Sequence, residues 1–185
     1  TPYGKVSKVI SPYDNREVKF GYGPDQNRWL KSVNISDTVT NTWYIRDAQG
    51  NTLAVYKQEE NKITWQEQYL YGSSRLGSFS PEVVWDPDNM IDPGDDAYYE
   101  SGNNLSVGLK AYELTNHLGN VLATVSDDVT FQLLGPAYIP EVISASDYYP
   151  FGQSMTGRTY LASGGVQYRY GFNGKEADRD DEWGS

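Results

Sequence analysis

His117 stands a short way upstream of Ser126 and Asp127, and together they hold the letters of a hydrolytic triad. That chemistry needs a base within hydrogen-bond reach of the nucleophile and a carboxylate behind the base. His117 falls instead in what reads as a turn between strands, which predicts a structural histidine. Paired acids such as Asp95/Asp96 or Asp127/Asp128 could serve glycoside hydrolysis if two carboxyls faced each other across about 5–9 Å. Neighbours along a strand point to opposite faces, so adjacency argues for solvated turn residues. Asp86, Asp88, Asn89, Asp92, Asp95 and Asp96 crowd enough oxygens to suggest calcium, which takes about six to eight. The glycine and closing glutamate of an EF-hand are missing, and a hydrated acidic loop is expected. A stripe of Trp29, Trp43, Trp65, Tyr69, Tyr71, Tyr148, Tyr149, Tyr168 and Tyr170 could stack on sugars, but aromatic cross-strand pairs also hold sheets together. The expectation is therefore a structural stripe, with no catalytic, cofactor-binding or metal residue assigned.

Composition narrows the classes further. The 185 residues contain no cysteine, which removes thiol catalysis, Cys-ligated zinc and iron–sulfur chemistry, and the single histidine excludes a multi-His metal site. Fifteen basic against 25 acidic residues give a net charge of −10, which opposes phosphate backbones and anionic lipid. No nucleic-acid partner is expected. No run approaches the roughly 20 apolar residues of a spanning helix, and the opening TPYGKVSKVISPY lacks the apolar stretch of a signal peptide. No membrane span is expected.

The elements that must position these residues read as strands. Sixteen Tyr, five Trp and five Phe favour sheets, while 18 Gly and nine Pro interrupt the chain too often for long helices. Alternation through Thr42–Arg46 and again through Thr52–Tyr56, around Asp47-Ala48-Gln49-Gly50-Asn51, predicts a β-hairpin from about 42 to 56. The grammar recurs. Laid over RDAQGNTLAVY, the segment TNHLGNVLATV matches Gly50 with Gly119, Asn51 with Asn120, Leu53 with Leu122 and Ala54 with Ala123. A third copy, YGPDQNRWLK, has Gln26 where the others have glycine, which predicts a less tightly wound turn. Further units are QYLYGSSRLG, closing on Gly72 and Gly77, DYYPFGQ, closing on Pro150 and Gly152, and YRYGFNGKE, closing on Gly171 and Gly174.

The predicted organisation is thus β-hairpin repeats over 1–79, an acidic loop or insertion over 80–104, further hairpin repeats over 105–174, and a charged, poorly ordered tail over 175–185. The 80–104 stretch carries no Lys or Arg. The outer strands of an open sheet expose unpaired N–H and C=O groups, so homotypic edge-strand association, or cover of an edge by the 80–104 loop, is expected.

The series YGPDQNR, YIRDAQGNTLAVY, LYGSSRLG, YELTNHLGNVLATVSD, DYYPFGQSMTGR and YRYGFNGKE resembles the C-terminal part of Rhs proteins of the tyrosine/aspartate (YD) repeat superfamily, in the version common in Bacteroidetes. The strongest signal is the order HLGN, then DYYPFG, then YRYGFNGKE. The resemblance implies an all-β strip of antiparallel hairpins, part of a YD/Rhs repeat shell, leading into the start of an Rhs-associated core. It implies a non-catalytic role in enclosing or presenting a C-terminal toxin or effector in interbacterial competition, and a secreted or cell-surface location in bacteria. The partners it implies are the remaining shell and the effector of a parent polypeptide. The self-cleaving aspartate segment of such proteins follows the GKE motif, and no aspartate of this chain matches its positions; Thr1 in place of Met further suggests a piece of a longer polypeptide. A different class, a surface adhesin or carbohydrate-binding β module that uses its aromatic side chains, is the alternative.

Overall fold

The computed structural model describes residues 1, 4–13, 15–88, 107–131, 138–163 and 168–177. They form twelve strands, β1 (Lys8–Ile10), β2 (Glu17–Tyr22), β3 (Arg28–Ile35), β4 (Thr38–Arg46), β5 (Thr52–Glu59), β6 (Lys62–Tyr71), β7 (Arg75–Phe79), β8 (Val83–Trp85), β9 (Lys110–Thr115), β10 (Val121–Phe131), β11 (Tyr138–Tyr148) and β12 (Ser154–Leu161). The protein is all-β and its strand pairs are antiparallel, most of them hairpins between consecutive strands, as its turn spacing predicts. The helical content among the described residues is a single 3-10 turn at Phe172–Gly174. None of the described residues forms a helix long and apolar enough to cross a membrane.

Two compact units can be separated. In the first, residues 1–69 and 80–88 of those described, the strands lie in the order β1-β2-β3-β4-β5-β6, with β8 added to β6 through Ile63↔Trp85 and Trp65↔Val83. The start of the 80–104 stretch therefore covers part of an edge of β6. In the second, residues 70–79 and 107–177 of those described, the order is β7-β9-β10-β11-β12. Of the 175–185 tail, residues 175–177 form a return arm, with Ala177 N–H bonded to the Arg169 carbonyl. The remainder of the tail lies outside the described residues, as does all of 89–104.

One turn geometry occurs five times among the described residues. In the segments 23–27, 47–51, 116–120, 149–153 and 171–175, the N–H of the first residue bonds the C=O of the fifth and the N–H of the fourth bonds the C=O of the first, at 2.7–3.1 Å. The fourth residue is left-handed every time: Gln26 (φ 62°), Gly50 (φ 88°), Gly119 (φ 79°), Gly152 (φ 98°) and Gly174 (φ 59°). The flanking pairs also correspond, as Tyr22↔Arg28, Arg46↔Thr52, Thr115↔Val121, Tyr148↔Ser154 and the bridge Tyr170↔Glu176. A bulge follows the first three turns, where Trp29, Leu53 and Leu122 are the extra residues. This is the three-residue loop in which a left-handed position resets the strand twist.

The expectation of a looser turn at Gln26 is corrected. Gln26 adopts the left-handed conformation rather than opening the turn, because the two backbone bonds and the Asp25 carboxylate, which accepts the Asn27 N–H at 3.1 Å, hold it closed. Gly77 is likewise no turn residue. It lies in mid-β7 opposite Tyr112, where a Cβ would sit 2.0 Å from the Ala111 carbonyl oxygen, so it permits close approach of β9. At the opposite ends of the first-unit hairpins, two-residue loops at Ser36-Asp37 and Glu60-Asn61 join the strands. Ser36 and Asp37 both take positive φ without a glycine.

The faces of the first unit differ. Val18, Val33, Tyr44, Val55 and Tyr69 are buried on one, each contributing about 1.5–3 kcal/mol for a fully buried apolar side chain. On the other, register places Leu30, Trp43, Tyr56, Trp65 and Val83 in one row across β3, β4, β5, β6 and β8. The next row is Ser32, Asn41, Gln58, Ile63 and Trp85.

Gly50→Val and Gly119→Val should each lower stability by about 1 kcal/mol or more, because a β-branched side chain resists positive φ. The loss should be larger at Gly50, whose Cβ would lie 2.5 Å from Asn27 Nδ2, than at Gly119, where nothing lies within 4 Å. Gln26→Gly should raise stability by up to about 1 kcal/mol by relieving the left-handed glutamine. Denaturant midpoints of the three variants against the parent chain check all of this.

Candidate functional site

The richest constellation lies in the second unit, where three of the five turns meet. The 171–175 turn seats against 116–120, with the Asn173 N–H donating to Asn120 Oδ1 at 2.7 Å and the Val121 N–H donating to the Gly171 carbonyl at 3.1 Å. It also seats against 149–153. The Tyr148 hydroxyl donates to the Val121 carbonyl at 3.1 Å, and its ring meets Phe172 edge-on with centroids 5.9 Å apart. Glycines make this approach feasible: a Cβ at Gly152 would lie 2.8 Å from the Phe172 ring, and one at Gly171 2.9 Å from the Tyr148 hydroxyl. The motifs HLGN, YPFG and YGFNGKE, far apart in the chain, are thus one packed cluster.

Beside the turns lies a buried charge. Arg75 of β7 donates from Nε to Glu113 Oε1 of β9 at 2.5 Å, and the Tyr168 hydroxyl donates to the same oxygen at 2.6 Å. The side chains of Arg75 and Glu113 are 13% and 3% exposed. The guanidinium also covers the Tyr170 ring at 3.5 Å from its centroid and reaches the Gly174 carbonyl at 3.4 Å. Burial, and then the adjacent Glu113 carboxylate, push the Tyr168 phenol far above its ordinary range. Tyr168 is accordingly a neutral donor at any physiological pH, unable to serve there as a phenolate base. Burial likewise raises Tyr148. The cluster anchors the 168–177 segment to β7 and β9, and its chemistry is that of a fixed ion pair.

A groove of about 590 Å³ runs between this segment and β10–β12, with Ser144, Thr159 and Tyr160 on the sheet side and Tyr170, Phe172 and Lys175 on the other. Glu176 on its rim is held by Arg169 at 3.0 Å.

His117 is exposed at the corner of the 116–120 turn. Ser126 is buried in β10, and its Oγ accepts the Asp128 N–H at 2.9 Å. Asp127 accepts the N–H groups of Gly108 and Lys110 at 2.9 and 3.0 Å and pairs with Lys110 Nζ at 3.1 Å. Burial alone raises its carboxyl, but these donors outweigh burial and hold it below the usual carboxylate range. Asp127 therefore tethers the start of β9 to β10, and the described contacts join it to neither Ser126 nor His117. Asp128 is exposed. Asp86 accepts the Asp88 N–H at 3.1 Å and pairs with Lys62 at 2.9 Å. Asn89, Asp92, Asp95 and Asp96 lie outside the described residues.

The aromatic stripe is not continuous. Trp29, Trp43 and Trp65 share a face of the first unit and Tyr69 is buried on its other face, whereas Tyr148, Tyr168 and Tyr170 belong to the cluster of the second. The Arg75–Glu113 pair went unseen in the sequence. Its one signal was an acid at a strand position between Tyr112 and Leu114, but nothing in the sequence pointed to a partner 38 residues away.

No family model matches the chain, and no curated protein matches it either.

Glu113→Gln should destabilise the second unit by about 3–5 kcal/mol, since it leaves the Arg75 charge buried without its partner. Tyr168→Phe should cost about 1–3 kcal/mol, the loss of one hydrogen bond to a buried carboxylate. Because both act on one oxygen, the double variant should fall short of the sum, and a double-mutant cycle by chemical denaturation measures the shortfall.

Proposed function

We propose that this chain is a stretch of an Rhs-type encapsulating wall, secreted or surface-displayed by a bacterium, that encloses or presents a C-terminal effector of its parent polypeptide. The observation that carries the reading is the fivefold recurrence of one hairpin turn along an antiparallel strip, with three copies packed into a cluster by the motifs on which the resemblance rests. A repeated hairpin adds strands without changing their local geometry, which is what a long wall requires. Such a wall works by confinement: one sheet face meets a partly unfolded passenger, and the continuous backbone denies it to proteases. In this reading no residue performs bond chemistry. The carboxylates of Asp127 and Glu113 and the hydroxyl of Tyr168 are engaged in holding strands and turns together.

The test uses the full parent polypeptide. Limited proteolysis should leave its C-terminal region intact for as long as the wall stays folded, and Glu113→Gln should expose both to cleavage together. Cleavage of the C-terminal region at the same rate with the wall folded or unfolded contradicts enclosure.

A further inference from the structure

The half-buried face of the first unit carries a row of aromatic side chains, and its chemistry is selective. The Trp29 indole rests over Gly21, where a Cβ would come within 3.0 Å of it, and lies 5.5 Å from the Trp43 ring. Gly21 thus vacates a seat for Trp29 beside the row of Trp43, Tyr56 and Trp65. Tyr56 and Trp65 are near-parallel, at 19° and 6.5 Å. Trp43 is fixed in orientation by its Nε1–H, which donates to Gln58 Oε1 at 3.1 Å; Asn41 Nδ2 reaches the same oxygen at 3.5 Å. The outermost members are open to solvent, with Trp29 42% and Trp85 51% exposed.

None of the ten residues in the two rows across β3, β4, β5, β6 and β8 is charged. The chain as a whole has a net charge of −10. The second row continues on β2 to Lys19, which is paired with Glu17, but the ten residues themselves offer nothing to phosphate or to a basic peptide, and like-charge repulsion disfavours a second copy on them. Flat rings, with hydroxyl and amide side chains of Ser32, Asn41 and Gln58 in the adjacent row, complement a ligand that is apolar on one face and hydroxylated at its rim. A pyranose ring has that form. At the ~4.8 Å spacing of neighbouring strands, the row reaches across several sugar units, and its straight course across the strands suits an extended chain.

We propose that this face binds an uncharged, extended β-linked glycan, with Trp29 and Trp85 as its outer stacking residues and Trp43, Tyr56 and Trp65 as the rigid floor. The site is independent of the wall reading. The full chain should be retarded in native gels containing hydroxyethylcellulose, should be released by cellohexaose, and should bind equally at low salt and in 1 M NaCl. Trp29→Ala and Trp85→Ala, both at exposed positions, should each weaken binding about tenfold or more while the circular dichroism spectrum stays unchanged. Absence of retardation, binding that vanishes at high salt, or full binding by the Trp29→Ala/Trp85→Ala double variant each overturns the proposal. So does sedimentation velocity showing that these substitutions convert a dimer into a monomer, which assigns the face to a second copy.

Discussion

A single backbone constraint organises the strands: the fourth residue of the recurring turn must be left-handed. With that residue at positive φ, the N–H of the fourth position and the C=O of the first close the loop, and the strands leave it in a register that repeats from Tyr22↔Arg28 to Tyr170↔Glu176. An L side chain there costs roughly 1–2 kcal/mol, which accounts for glycine in four of the five copies. The fifth, Gln26, shows that two backbone bonds and a carboxylate tether can impose the conformation against that cost. Once register is set, side-chain alternation follows: the Val18–Val33 and Tyr44–Val55 pairs go to one face of the first unit and the tryptophan row to the other.

The same constraint builds the second-unit cluster. Turns that are tight and glycine-rich can approach one another closely, and the 171–175 turn hydrogen-bonds Asn120 and Val121 while its Phe172 packs on Tyr148. The approach brings Tyr168 and Tyr170 onto the Arg75–Glu113 pair. A buried ion pair gains little net stability over an apolar alternative, yet breaking it is costly. Here the Tyr168 hydroxyl and the Arg75 guanidinium share one carboxylate oxygen, which ties the 168–177 segment to β7 and β9.

Much of this was legible in the sequence because glycine turns and period-two alternation are local signals. The 42–56 hairpin, the left-handed Gly50 and Gly119, and the match between them follow from residue types alone. The tight loops at Ser36-Asp37 and Glu60-Asn61 were not legible, since their conformation is imposed by the register of strands that pair over their whole length rather than by glycine. Gly77 misled for the complementary reason: its absent side chain answers to the Ala111 carbonyl across the sheet, not to a turn. The Arg75–Glu113–Tyr168 contact was invisible because its members come from three distant segments, and neither charge nor spacing links them in one dimension.

The central claim, that the three turns of the second unit form one cooperative cluster, is tested most directly by native-state hydrogen exchange. The Val121 and Asn173 amides, bonded to the Gly171 carbonyl and Asn120 Oδ1, should exchange only through the same opening that releases the β9–β10 ladder. Their opening free energies and denaturant dependence should then coincide with those of the ladder. Rapid exchange at Val121 and Asn173 while the amides of β9 and β10 stay protected would contradict the account, because it would mean that the 168–177 segment merely rests on the sheet.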